Sequence, residues 1–152
     1  MTLLDLAKIY NDGEQQFFDV MSAAGYQVTD ETNNPFYWGK DIDFFVTNPY
    51  TQLTFSFEVK WDKRLADTHN FYFEIENPRS KGGAGWFNFC EADYLAYGDA
   101  INNCFYIIPM EELREYITEN LAALITKSTM DGSRGLIVPV ENLWNIARKI
   151  EL

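Results

Sequence analysis

The stretch LTFSFEVKW, residues 53–61, leaves few choices for what surrounds it. Successive side chains of a strand point to opposite faces. Leu53, Phe55, Phe57, Val59 and Trp61 therefore share one strongly apolar face, and Thr54, Ser56, Glu58, Lys60 and Asp62 share the other. Such a strand must lie in a sheet with a covered face, and it sets Glu58 and Lys60 side by side. The preceding segment DIDFFV, residues 41–46, alternates in the same way, with Asp41, Asp43 and Phe45 on one face and Ile42, Phe44 and Val46 on the other. The connector TNPYTQ carries turn residues, so the two strands are expected to form an antiparallel hairpin. A short hairpin brings Asp41 or Asp43 within cross-strand reach of Glu58. Two carboxylates and a lysine then meet at one spot. Hard oxygen ligands of this kind suit Mg²⁺ or Mn²⁺; the same trio also makes an ordinary ion pair on a wetted face.

The rest of the chain predicts a central sheet with helices on it. Residues 3–24 read as a helix, with Asn11-Asp12-Gly13 as the place where it would break, and with Phe17, Phe18, Met21 and Ala24 facing inward. Glu14 stands at the end of that apolar stripe. It serves either as a negative charge at the start of a helical segment or as a group reaching toward the sheet. The stretch 27–40 reads mostly as loop, NFYFEIE (70–76) as a third strand, PRSKGGAGW (78–86) as a glycine-rich loop and residues 90–98 as a short helix. CFYII (104–108) reads as a buried strand, 111–126 as a helix, GLIVPV (135–140) as a strand and 141–150 as a terminal helix. A single domain of α/β or α+β class follows, its mixed sheet built from 41–46, 53–61, 70–76 and 104–108. If the third strand pairs beside 53–61, Glu74 extends the acidic cluster; otherwise Glu74 belongs to a wetted sheet face.

Composition narrows the class of molecule. With 12 Phe, 9 Tyr and 4 Trp in 152 residues, the chain carries too much aromatic surface to stay unfolded in water. No apolar run approaches the roughly 20 residues of a membrane span, and the first ten residues lack the pattern of a secretory leader. Cys90 and Cys104 are too few for a disulfide framework or a four-ligand zinc site, so a cytoplasmic protein with free thiols is expected. The balance of 12 Lys and Arg against 23 Asp and Glu, net -11, disfavours loose adsorption to nucleic acid. Five of the 12 basic residues, Lys60, Lys63, Arg64, Arg79 and Lys81, nevertheless fall within the 22 residues from Lys60 to Lys81.

A helical Glu14, then Asp43 opening an apolar strand, then fourteen residues, then Glu58-Val59-Lys60 resembles the PD-(D/E)XK nuclease superfamily. Thr68-His69-Asn70 ahead of a strand carrying Glu74 is similar to its small phage and bacterial members, with His69 where a glycine is commoner and Ile42 in place of the usual proline. The resemblance implies a restriction-endonuclease-like fold and metal-assisted hydrolysis of DNA phosphodiesters. It assigns Mg²⁺ (or Mn²⁺) to Asp43, Glu58 and the Val59 carbonyl, with Asp41 and Glu74 as weaker ligands. It gives Lys60 the orientation of the attacking water, and Glu14 a place through an intervening water or a second ion. Lys63, Arg64, Arg79 and Lys81 would meet phosphates, Trp86 would touch nucleic acid, and Gly82, Gly83 and Gly85 would either let backbone approach closely or form a plain surface loop. Cutting both strands would take a homodimer or a larger complex. The competing expectation is a non-catalytic acidic protein on the same scaffold, a DNA mimic or the subunit of a nucleic-acid enzyme. Trp61 and Trp144 are expected in the core, and His69 in a structural role.

Overall fold

The computed structural model describes residues 3–152, apart from the side chains of residues 3–11 and of Lys81. The chain is a mixed α+β structure. Its elements are α1 (Leu3–Ala23), β1 (Gln27–Asp30), α2 (Pro35–Trp38), β2 (Phe44–Thr47), β3 (Thr54–Asp62), α3 (Leu65–Thr68) and β4 (Asn70–Glu76), followed by α4 (Trp86–Phe89), β5 (Tyr94–Asp99), β6 (Cys104–Pro109), α5 (Met110–Asn120), β7 (Ile125–Ser128), β8 (Arg134–Pro139) and β9 (Arg148–Glu151). Six strands form one sheet in the order β1-β2-β3-β5-β6-β9, and three form a second in the order β4-β8-β7. β3 runs parallel to β5, and every other pairing is antiparallel.

Both faces of the large sheet are covered, and the alternation of its strands explains how. Phe57 and Val59 of β3, Phe44 and Val46 of β2, Ala96 of β5 and Phe105 of β6 pack with Phe17 and Met21 of α1. Leu95 and Tyr97 of β5 and Ile108 of β6 point the other way, into a second core with Phe71 and Phe73 of β4, Leu136 and Val138 of β8, and Leu113 of α5. The small sheet is thus the lid over the face of β3 that carries Glu58 and Lys60. Of the two readings the sequence left open for this face, Glu58 lies covered rather than wetted, while Lys60 keeps partial exposure.

α1 runs unbroken through Gly13, because the glycine is needed for contact rather than for a turn: a Cβ there would lie 2.4 Å from the Trp61 Cβ. Ala24, expected inside, is exposed, since the helix ends at Ala23. The hairpin of β2 and β3 forms as expected, with Phe44 opposite Phe57, but β2 begins only at Phe44. Asp41 adopts a left-handed backbone (φ 54°), and this irregularity sends Ile42 into the core opposite to that of Phe44 and Val46.

Several segments differ from expectation. The third strand pairs with β8 and not with β3, because β5 takes the place beside β3. Much of 90–98 is strand: large Leu95 and Tyr97 alternate with small Ala96 and Gly98, and the Trp61 ring lies so close that a Cβ on Gly98 would sit 2.2 Å from it. The stretch 27–40 contains β1 and α2, the latter with Pro35 in its first turn and Asn34 capping it. α5 stops at Asn120, ahead of a 3₁₀ turn and β7. The expected terminal helix is a 3₁₀ turn (Val140–Leu143) followed by β9, whose backbone extends the large sheet along β6. Trp144 is consequently 74% exposed rather than in the core.

Candidate functional site

β3 delivers Glu58 and Lys60 to the roofed face. Glu58 is only 3% exposed. Its Oε1 accepts from the Lys60 ammonium at 2.7 Å, and the same ammonium stands 3.7 Å from Asp41 Oδ2. On its other side Lys60 Nζ lies 4.5 Å from the centre of the Trp86 ring, a cation–π contact supplied by α4.

Asp43 approaches β3 along its edge. The Asp43 amide donates to the Phe57 carbonyl, and Asp43 Oδ2 accepts from the Val59 amide, both at 2.9 Å. The amide and carbonyl of one strand residue point to the same side, so the Val59 carbonyl faces this edge too. The left-handed Asp41 turns the chain aside here, and the edge is not closed by further pairing of β2. Glu14 stands on α1 at the solvent side of the cluster, near enough for the charges of Asp43 and Lys60 to act on it.

The electrostatics follow from crowding and burial. Burial pushes the Asp41 carboxyl up to about 6, and the Lys60 ammonium only partly offsets this. Glu58 is raised well above its ordinary value, first by burial and then by Asp41 and Asp43, against the pull of Lys60. Asp43 is raised by burial and opposed by its hydrogen bond from Val59. Glu14 is raised by desolvation and by the charges of Asp43 and Asp30. Burial alone would lower the Lys60 ammonium, but Glu58 and Asp41 together hold it above its ordinary value. Four carboxyls thus share one cation. Asp41 Oδ2 and Glu58 Oε2 are buried with no hydrogen-bond partner. Buried charge without a full set of partners is costly, and oxygen atoms left over in this way suit a further cation. Among the described residues, however, no three His, Cys, Asp or Glu side chains are spaced as a finished metal cage. Between Glu58 and Asp41 it is the Lys60 ammonium that serves as the cation.

The remaining expected residues divide. Lys63, Arg64 and Trp86 line a cleft of about 740 Å³ that begins at Lys60 and runs between the two sheets. Arg79 is elsewhere, paired with Asp131 on the β7–β8 turn. The Lys81 side chain lies outside the described residues. Glu74 is separated from the cluster because β4 belongs to the small sheet; it accepts a hydrogen bond from Asn77 Nδ2 at 3.3 Å. Gly82 and Gly83 adopt positive φ in a surface turn. Gly85 packs on β4, where a Cβ would lie 2.3 Å from the Glu74 carbonyl oxygen. His69 ends α3 with a left-handed backbone (φ 54°), its amide donating to the Leu65 carbonyl at 2.9 Å.

Three residues of the cleft were not legible in the sequence: Tyr72, Tyr97 and Lys127. Lys127 follows a helix that was expected to run into it, and Tyr97 lies in the segment read as helix. The alternation Leu95-Ala96-Tyr97-Gly98 was the available signal for the latter. No protein-family model matches the chain, and no curated protein or solved structure matches it.

Proposed function

We propose that the protein is a divalent-metal-dependent deoxyribonuclease with a PD-(D/E)XK site on a restriction-endonuclease-like scaffold. One observation carries this: Glu58, Lys60 and Asp41 form one ion-paired cluster on β3, and Asp43 is held beside it by the Val59 amide, near enough for Glu58 and Lys60 to act on its carboxyl. Glu58 Oε2, buried without a partner, and Asp41 Oδ2, held only by its 3.7 Å ion pair with Lys60, are the oxygens a hard cation would draw on. Asp43, Glu58 and the Val59 carbonyl would hold Mg²⁺ or Mn²⁺, with Asp41 joining them. A bound divalent ion supplies an acidified water and neutralises charge developing on the phosphate.

The chain's own groups do the rest. The Lys60 ammonium donates hydrogen bonds to the attacking water and to the phosphate oxygen on which charge builds. Trp86 holds that ammonium in place by lying under it. Asp43 is fixed by the Val59 amide, so its second oxygen has a set direction. Glu14, on the open side, is the group from which a proton can exchange with solvent.

Supercoiled plasmid and single-stranded DNA, incubated with the protein in Mg²⁺, Mn²⁺ or EDTA, test the reading. Metal-dependent nicking or degradation is expected, lost in Lys60→Ala and Glu58→Ala. Wild-type cutting by both variants removes these residues from the mechanism. Absence of cutting on any DNA, together with tight salt-sensitive binding to another protein, fits the acidic-mimic alternative instead.

A further inference from the structure

The cleft beside Lys60 has a make-up that the cutting chemistry does not require. Its walls are aromatic and its rim is cationic, in a chain of net charge -11. Trp86 and Tyr72 are half-buried and present ring surface to it, while Arg64 and Lys127 are exposed at its margin. The Tyr72 hydroxyl is buried with no hydrogen-bond partner. The cleft measures about 740 Å³. That is the size of a small-ligand site, roughly 300–1,000 Å³, with room for about one or two nucleotides.

A duplex and a single strand differ in what they bring to such a place. The base faces of a duplex are already stacked, so it offers chiefly phosphates and groove edges. A single strand offers exposed base faces for aromatic side chains and a flexible backbone for cations. A cleft of this volume with aromatic side chains in its walls gains more from the second than from the first. We infer that this cleft takes unpaired nucleotides of a DNA strand, with a base packed on Trp86 and Tyr72 and its phosphates met by Arg64 and Lys127. The inference deepens the nuclease reading and rests on it for its purpose, since Lys60 belongs both to the cleft and to the carboxylate cluster. A strand lying in the cleft therefore has a phosphate delivered to Lys60.

Binding measured without metal separates this inference from the catalytic one. The experiment is fluorescence anisotropy of a labelled oligodeoxynucleotide of about ten nucleotides, with the wild-type protein in EDTA at fixed low salt, against the same strand annealed to its complement. The single strand is expected to bind at least about tenfold more tightly than the duplex. Trp86→Ala and Lys127→Ala are each expected to weaken it about tenfold, with Trp86→Phe close to wild type. Lys127 is exposed on β7, so its replacement leaves the fold alone even if Trp86→Ala does not fold. Equal or tighter binding of the duplex, no binding of either, or unchanged binding by Lys127→Ala overturns the inference. Selective single-strand binding without cutting in Mg²⁺ or Mn²⁺ upholds it and removes the catalytic assignment alone.

Discussion

Lys60 and Glu58 face each other across 2.7 Å under the roof of the small sheet, with Glu58 almost wholly buried. Removing one member of a buried pair strands the other. Lys60→Met is therefore expected to destabilise the metal-free protein at pH 7 by about 2–4 kcal/mol, somewhat less than a fully enclosed pair because Lys60 retains some exposure. Urea unfolding in EDTA measures it. The loss should shrink at pH 5, where Glu58 and Asp41 can take up protons in place of the missing ammonium. Equal stability of the two proteins at pH 7 would show that the pair carries no energetic weight.

The crowded carboxyls also set the sign of a pH dependence. Asp41 titrates at about 6 in the folded chain and near 3.8 unfolded. A raised value means the native state binds the proton more tightly. The associated stability is complete below pH 3.8 and is lost as pH rises through about 6. Glu58 is shifted in the same direction. In EDTA the urea midpoint is thus expected to fall between pH 4.5 and 7, with Asp41 contributing on the order of 2 kcal/mol. Asp41→Asn should flatten the slope, which separates this local effect from the general repulsion of a chain with net charge -11. A midpoint that rises over that range would be incompatible with the crowding described.

The local pattern of β3 was readable because one face must be apolar and the other carries the charge, and the two-residue period allows only one assignment. Asp43, Glu58 and Lys60 were accordingly found together. What surrounds them was not readable. The place beside β3 is held by β5, whose Ala96 and Gly98 are small because Trp61 and α1 press against that face. Nothing in a short alternating run announces which distant strand it will join. The same ambiguity left the place of Glu74 open and made a helix of β9. Asp41 ranks below Asp43 in the sequence because the resembled pattern sets its acid directly before an apolar run, as Asp43 stands before Phe44-Phe45-Val46. The left-handed residue that brings Asp41 beside Lys60 has no signature in the local pattern.

Gly13 tests how tightly α1 is seated. A glycine inside an exposed helix is ordinarily improved by alanine, by about 1 kcal/mol. Here the added Cβ would lie 2.4 Å from the Trp61 Cβ and 2.6 Å from Cγ. Neither the strand backbone nor the indole above Gly98 can yield far. Gly13→Ala is expected to lower stability by about 1–3 kcal/mol, read as a fall in the thermal midpoint. Any increase would mean that α1 is free to shift away from β3. Because Glu14 is the next residue, a weaker response to Mn²⁺ should accompany the loss.

Tyr97 ties the two sheets together at the cleft. Its hydroxyl donates to Asp62 Oδ2 at 2.6 Å and accepts from the Tyr72 amide at 3.2 Å. Burial, reinforced by the charge of Asp62, raises the phenol well above its ordinary value, so it remains a donor through the whole working range. Tyr97→Phe keeps the ring and its edge-to-face contact with Phe71 but deletes both bonds. Asp62 is partly exposed and can turn to water; the Tyr72 amide has no such recourse. A cost of about 1–3 kcal/mol follows from leaving that amide unpaired. Hydrogen exchange provides the specific readout: the Tyr72 amide should exchange faster than its neighbours in β4, which stay paired with β8. Since Tyr72 also walls the cleft, single-strand binding should weaken without any change at Glu58 or Lys60. Unaltered exchange at Tyr72, with unaltered stability, would show that the small sheet is held over the large one by its apolar core alone.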